Sequence, residues 1–231
     1  MKVLAIVPAR CGSKGFPNKN IALINNKTLL ELAIKVAIDC PDVDDTFVST
    51  DCIEYEKIAK KSGAKSIGLR SKTLATDNAK TVDVIIDLIK KLENKYTHIV
   101  LLQPTSPNRT PSDISEMIKL MTTNDADAIV SLTKLEEPHP YKLKKINELG
   151  LVEPFLDGTD SELPRQSLPM AYSLNGAIYI VKVDTLLKEK TFLPEKTVPY
   201  IMKNNINIDR EDDFFYLLSM LTNAKINIYG V

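Results

Sequence analysis

Arg10, Gly12, Ser13, Lys14, Gly15 and Lys19 lie within ten positions of one another, directly after the apolar run 4–7. Glycines let a backbone close around a ligand, and clustered cations neutralise an anion. A buried strand that empties into such a loop is suited to holding a polyphosphate. It is not a Walker loop, since Lys14 precedes Gly15 and Arg10 stands where the first glycine would be. Nor is it the Gly-x-Gly-x-x-Gly dinucleotide fingerprint. The plainer alternative is a basic surface loop. Against it, Pro17 and the glycine and serine positions fix the shape as well as the charge.

Five further groups could do chemistry. Arg70 and the polar stretch 74–81 suit a base or ribose, or simply start a helix capped by Asp77 or Asn78. Gln103 ends the apolar run 99–103 and enters a turn stiffened by Pro104 and Pro107, where it would donate and accept hydrogen bonds. His139 with Lys142, and Arg165 with Gln166, read individually as surface residues, though Arg165 offers a planar fork for a carboxylate. Asn207 and Asp209 share one face of an extended segment. Together they would hold a magnesium ion carried on a phosphate, the alternative for Asp209 being a helix cap. Glu211, Asp212 and Asp213 favour the positive end of the helix that follows. Neighbouring cations would lower the thiol pKa of Cys11, yet the residue reads as a space filler. His98 reads as structural, and His139 has no partner at metal-ligand spacing.

These residues need a scaffold that brings them together. Strand-like segments at 3–8, 46–50, 64–69, 99–103, 128–132 and 175–181 alternate with helical periods at 29–38, 53–62, 82–92, 112–121 (capped by Ser112), 184–188 and 211–221. The alternation predicts an α/β fold, a doubly wound, mostly parallel sheet with helices on both faces. Ligands of such sheets bind at the carboxyl ends of the strands, where Arg10, Asp51 and Gln103 fall. Residues 134–172 contain five prolines and no helical period, and read as an inserted arm within a single domain over 1–231.

Thirty cations balance thirty carboxylates, so no overall field draws nucleic acid or an acidic membrane. No apolar stretch approaches a membrane span. Three cysteines without metal spacing, and a start that runs directly into the first strand, predict a reducing cytoplasm.

The motifs resemble those of the acylneuraminate cytidylyltransferases, the CMP-sialic acid synthetases. The matching pieces are Ala9-Arg10-x-Gly12-Ser13-Lys14-Gly15, Lys19-Asn20, Arg70 with Leu74-Ala75, 101–107, Pro164-Arg165-Gln166-x-Leu168-Pro169, 175–179 and Ile208-Asp209. They fall in the family's order along nearly the whole chain. The resemblance implies a Rossmann-like nucleotidyltransferase with a small β-rich dimerisation arm, joining CTP to a nine-carbon α-keto acid sugar with Mg2+. It implies that Arg10, Gly12, Lys14 and Asn20 hold the triphosphate, with Arg10, Lys14 and Asp209 catalytic. It places Arg70 and Thr81 on the cytidine, and Gln103, Lys142, Arg165, Gln166 and Tyr179 around the sugar. Asp209, with Asn207, would hold the metal, and the protein would be a homodimer.

Asn207 replaces an aspartate that the family often carries, and Ser173 an arginine of some members, which opens the sugar to legionaminic or a related acid. Other sugar nucleotidyltransferases, and a nucleotide-binding protein without chemistry, remain alternatives.

Overall fold

The computed structural model describes every residue except Lys14, Glu93, Asn94 and Asn204. In chain order its strands are β1 (Val3–Pro8), β2 (Leu23–Ile24), β3 (Lys27–Thr28), β4 (Asp45–Ser49), β5 (His98–Leu102), β6 (Ala128–Leu135), β7 (Lys144–Ile146), β8 (Val152–Pro154), β9 (Ala171–Lys182) and β10 (Thr197–Met202). Its helices are α1 (Leu29–Ile38), α2 (Ile53–Lys61), α3 (Thr81–Lys91), α4 (Pro111–Thr123), α5 (Val183–Glu189) and α6 (Glu211–Thr222).

Six strands form one sheet in the order β10-β6-β9-β5-β1-β4. Side chains of a strand alternate between faces, and β1 uses both. Val3, Ala5 and Val7 pack with α1, α2 and α4 on one side. Leu4 and Ile6 pack with α3 and α5 on the other. Burial of each such aliphatic side chain is worth about 1.5–3 kcal/mol. A smaller apolar cluster, Ile24, Leu29, Leu32, Ile208, Leu217, Ile226 and Ile228, docks α6 and the segment before it beside β2.

The sheet is parallel at β4-β1-β5, as the alternation predicts, and also at β10-β6. Strand β9 departs from it, running antiparallel to both β5 and β6. It arrives from the arm, and therefore from the opposite end. The pairing slips between Val130 and Leu132. There Ser131 Oγ accepts from Ile178 N at 2.8 Å, and Asn175 Oδ1 accepts from Ala177 N at 3.0 Å, closing a bulge at 175–177. Gly176 within it has φ 73.

Two local expectations are corrected, and one strand is added. Residues 64–69 form no strand, only one bridge between Lys65 and Phe47. Thr110, not Ser112, caps α4, with Asp113 completing a capping box ahead of Pro111 at the first turn. The unforeseen β10 is an edge strand, where Pro199 is tolerated.

In the segment 134–172, β6 continues to Leu135 and β9 starts at Ala171, with a hairpin of β7 and β8 between them. Ile146, Leu149, Val152 and Met170 there are each about 70–80% exposed.

Candidate active site

The loop after β1 is held by its own buried amide. Asn20, 5% exposed, donates from Nδ2 to the Arg10 carbonyl at 3.1 Å. Gly12 adopts φ 76. Gly15 passes so close to the chain before α6 that a Cβ there would sit 2.7 Å from the Asp209 carbonyl oxygen. Asp51, just beyond β4, accepts from Cys11 N at 2.9 Å and so ties this loop to its neighbour.

A cleft of about 400 Å³ opens at the carboxyl ends of β1 and β5. Arg10, Asn20, Arg70, Thr81, Gln103 and Asp209 line it. Each described cation there faces a carboxylate. Arg10 Nη1 meets Asp77 Oδ1 at 2.5 Å, and Lys19 Nζ meets Asp209 Oδ1 at 3.0 Å. Arg70 Nη2 lies 3.7 Å from Asp51 Oδ1. The Arg70 side chain is 7% exposed, its Nε has no partner, and burial lowers its pKa. A buried donor of that kind is a ready contact for a ligand acceptor. Asp77 therefore serves Arg10 rather than capping α3, which Lys80 precedes without a side-chain cap.

Asp209 does not cap α6. Asp213 does, accepting from Asp209 N at 2.9 Å and Arg210 N at 2.8 Å, and those bonds lower its pKa. The Asp209 side chain stays 67% exposed at the cleft. Asn207 turns Nδ2 to Asp209 Oδ2 at 2.7 Å and Oδ1 to Ser106 Oγ at 3.3 Å. No group of three or more His, Cys, Asp or Glu placed for a metal occurs among the described residues. One exposed carboxylate fits a magnesium ion that arrives on phosphate oxygens and keeps its waters, and Asn207 orients that carboxylate.

The sugar-side residues are scattered. Arg165 pairs with Glu137 at 3.0 Å and approaches Glu136 at 3.8 Å, and it lines a separate depression with Lys142 and His139. Lys142 Nζ donates to the carbonyls of Ser161 and Leu163. Gln166 is exposed in the same segment. Tyr179 lies in the α3–α5 layer, its ring 5.8 Å from Phe192, and burial raises its pKa. It is not among the cleft-lining residues. Lys14 lies outside the described residues. The Cys11 thiol is pushed up, first by burial and then by a hydrogen bond with Cys52, opposite to the expected lowering.

Three residues make contacts that no local pattern marks. Lys19 is legible as a cation of the loop, but its partner Asp209 is 190 positions away. Asp77 gave no sign of meeting Arg10 across 67 positions. Arg109, fully buried behind Gln103, had only its place at the end of a proline-stiffened turn to mark it.

An open α/β sheet with a cation-bearing cleft at its strand ends is the architecture of the nucleotidyltransferase fold. That fold is shared with a CMP:2-keto-3-deoxy-manno-octonic acid synthetase complexed with CTP, at TM-score 0.73 and 17% identity over 97% of this chain and 100% of the other. The chain belongs to the cytidylyltransferase family, whose model matches residues 4–160. It is 33% identical to the CMP-N,N'-diacetyllegionaminic acid synthase of Legionella pneumophila over 93% of this chain and 94% of that one. It is 35% identical to the N-acylneuraminate cytidylyltransferase of Streptococcus agalactiae serotype V over 96% of this chain. The chain spans about half the length of that relative, 54%.

Proposed function

We propose that this protein joins CTP to a nine-carbon α-keto acid sugar, giving the CMP-sugar and pyrophosphate. The observation that carries the reading is the cleft itself, where Arg10 and Lys19 of one loop, Arg70 and Asp209 converge from three distant parts of the chain. The anomeric hydroxyl of the sugar attacks the α-phosphorus and gives up its proton to water, the bond to the β-phosphate oxygen breaks, and pyrophosphate leaves with its electron pair. Such transfers depend on in-line placement and charge neutralisation more than on covalent help. Arg10 exchanges Asp77 for phosphate oxygens, Lys14, four positions further along the sequence, is the second cation for the triphosphate, and Gly12 and Asn20 shape the cradle. Arg70 offers its free Nε, and Thr81 the first turn of α3, to the cytidine. A magnesium ion on Asp209 would supply Lewis-acid neutralisation of the phosphates.

Arg165, Lys142 and Gln166 belong to the sugar's carboxylate and side chain, and Gln103 to the sugar's end of the cleft. In one chain the arm residues line a depression separate from the cleft that holds Gln103, which supports a homodimer in which the arm is completed by a second copy. The exposed apolar side chains of that arm support the same reading. Three free thiols accord with a cytoplasmic setting, and no described helix is long and apolar enough to cross a membrane. A diacetylated legionaminic acid is the favoured variant of the sugar, because the Legionella synthase matches this chain end to end.

The test measures pyrophosphate release from CTP or UTP with N-acetylneuraminate and with N,N'-diacetyllegionaminate. Turnover is expected with CTP and at least one acid. CTP bound tightly with no acid consumed would replace the enzyme with a nucleotide-binding protein.

A further inference from the structure

Arg109 is fully buried and heads the largest enclosed side chains of the protein. Its Nη1 donates to three carbonyls, Gln103 O at 2.6 Å, Ser106 O at 2.8 Å and Ala177 O at 3.1 Å. Two belong to the turn after β5 and one to the bulge of β9. Its Nε and Nη2 have no partner. No carboxylate lies within ion-pair range among the described residues, and burial pulls the guanidinium down to about 9, so it keeps its charge at neutral pH. Burying such a group is costly, and an apolar side chain would fill the space without that cost.

Across the same seam, Gly176 faces the Gln103 side chain. A Cβ on Gly176 would sit 2.8 Å from Gln103 Oε1. The backbone end of Gln103 is thus clamped by Arg109, and its carboxamide rests on a glycine of the bulge that Arg109 also holds. The strand order says which part of a substrate Gln103 meets. Arg70 N bonds Thr50 O just past β4, at one margin of the sheet, and the phosphate loop follows the next strand, β1. Gln103, just past β5, and Gly176, on β9, lie beyond it. Base, phosphates and acceptor therefore map onto successive strands.

We propose that Arg109 is a positioning residue that acts through Gln103, fixing its carboxamide for selection of the acceptor sugar. This rests on the cytidylyltransferase reading above. The experiment compares Arg109→Lys, Gln103→Ala and the double variant. Arg109→Lys is expected to raise KM for the acid about tenfold while KM for CTP stays within about twofold. In the Gln103→Ala background the same change adds less than about twofold, because the residue it acts through is gone. Effects that multiply, or an equal rise in both KM values, overturn the proposal.

If Arg109→Lys does not fold, Gly176→Ala takes its place, since it displaces Oε1 and keeps the guanidinium. The same KM pattern and non-additivity are then expected, and additivity overturns the proposal. Should the wild-type protein turn over no acid, the functional reading fails separately. The positioning is then decided by 15N–1H spectra, with the Gln103 side-chain pair assigned by its loss in Gln103→Ala. A shifted Gln103 pair with the Asn147 pair unmoved supports it, and an unshifted Gln103 pair overturns it.

Discussion

The cleft and the arm hold the same kinds of side chain in opposite settings. In the cleft, Arg70 is 7% exposed and Lys19 18%, each fixed between a strand end and a carboxylate. In the arm, Arg165 is 64% exposed, and its partners Glu136 and Glu137 are more exposed still. A buried, counter-charged cation has a set geometry before any ligand arrives. An exposed pair is worth little and is exchanged readily. The cleft is pre-organised by its own chain, whereas the arm waits for something outside it to fix its side chains.

The sharpest way to break this contrast is at Gly15. Its α-carbon leaves no room for a side chain against the Asp209 carbonyl. Gly15→Val should weaken CTP binding about 100-fold by calorimetric titration, as overpacking of 1–3 kcal/mol shifts the loop. Unchanged affinity would show that the cradle is not rigid. Next come the cations. Arg10→Ala should cut pyrophosphate release about 100-fold, and a fall under about tenfold would remove Arg10 from the reaction. Arg165→Ala should instead raise KM for the acid, leave CTP affinity alone and move stability by less than about 0.5 kcal/mol. The arm's apolar face gives the third test. Leu149→Glu combined with Val152→Glu should convert a dimer to a monomer in light scattering and leave CTP binding intact. A monomeric wild-type protein would refute the homodimer.

The same contrast explains what the sequence made legible. The glycine-and-cation loop after β1, the strand ends and the helices showed because each is local, written in a few adjacent residues with one periodicity. The partners of its cations did not. Asp77, Asp209 and Asp51 meet Arg10, Lys19 and Arg70 only after the sheet is assembled, and nothing near them in sequence marks the meeting. Direction was also hidden, since β9 carries the continuous apolar run 177–181 expected of a buried parallel strand and differs only in arriving from the arm. Tyr179 was read onto the ligand side by motif. Period-two alternation from Ile178, which packs with α1 and α4, sends it to the other face. In the arm, motif reading names Lys142, Arg165 and Gln166, and packing within one chain puts Lys142 and Arg165 on a depression separate from the cleft.

The smallest expected effect separates the two regions by acid. Two backbone N–H groups, of Arg210 and Asp209, hold the Asp213 carboxyl below the usual carboxylate range. The unfolded chain releases that proton nearer the ordinary Asp value of about 3.9. A depressed folded pKa means that the unfolded state binds more protons in acid. The contribution to stability is therefore complete above the unfolded value and is lost as pH falls through the folded one. Asp213→Asn should flatten that acid limb in thermal melts and lower Tm slightly at neutral pH. Because Asp213 anchors the turn that presents Asp209, CTP affinity should weaken with it. Ile146→Ser, in the arm, should leave the acid limb and the affinity as they are in the wild type. If both variants change the acid limb alike, the cleft and the arm unfold as one unit, and the independence on which the contrast rests is lost.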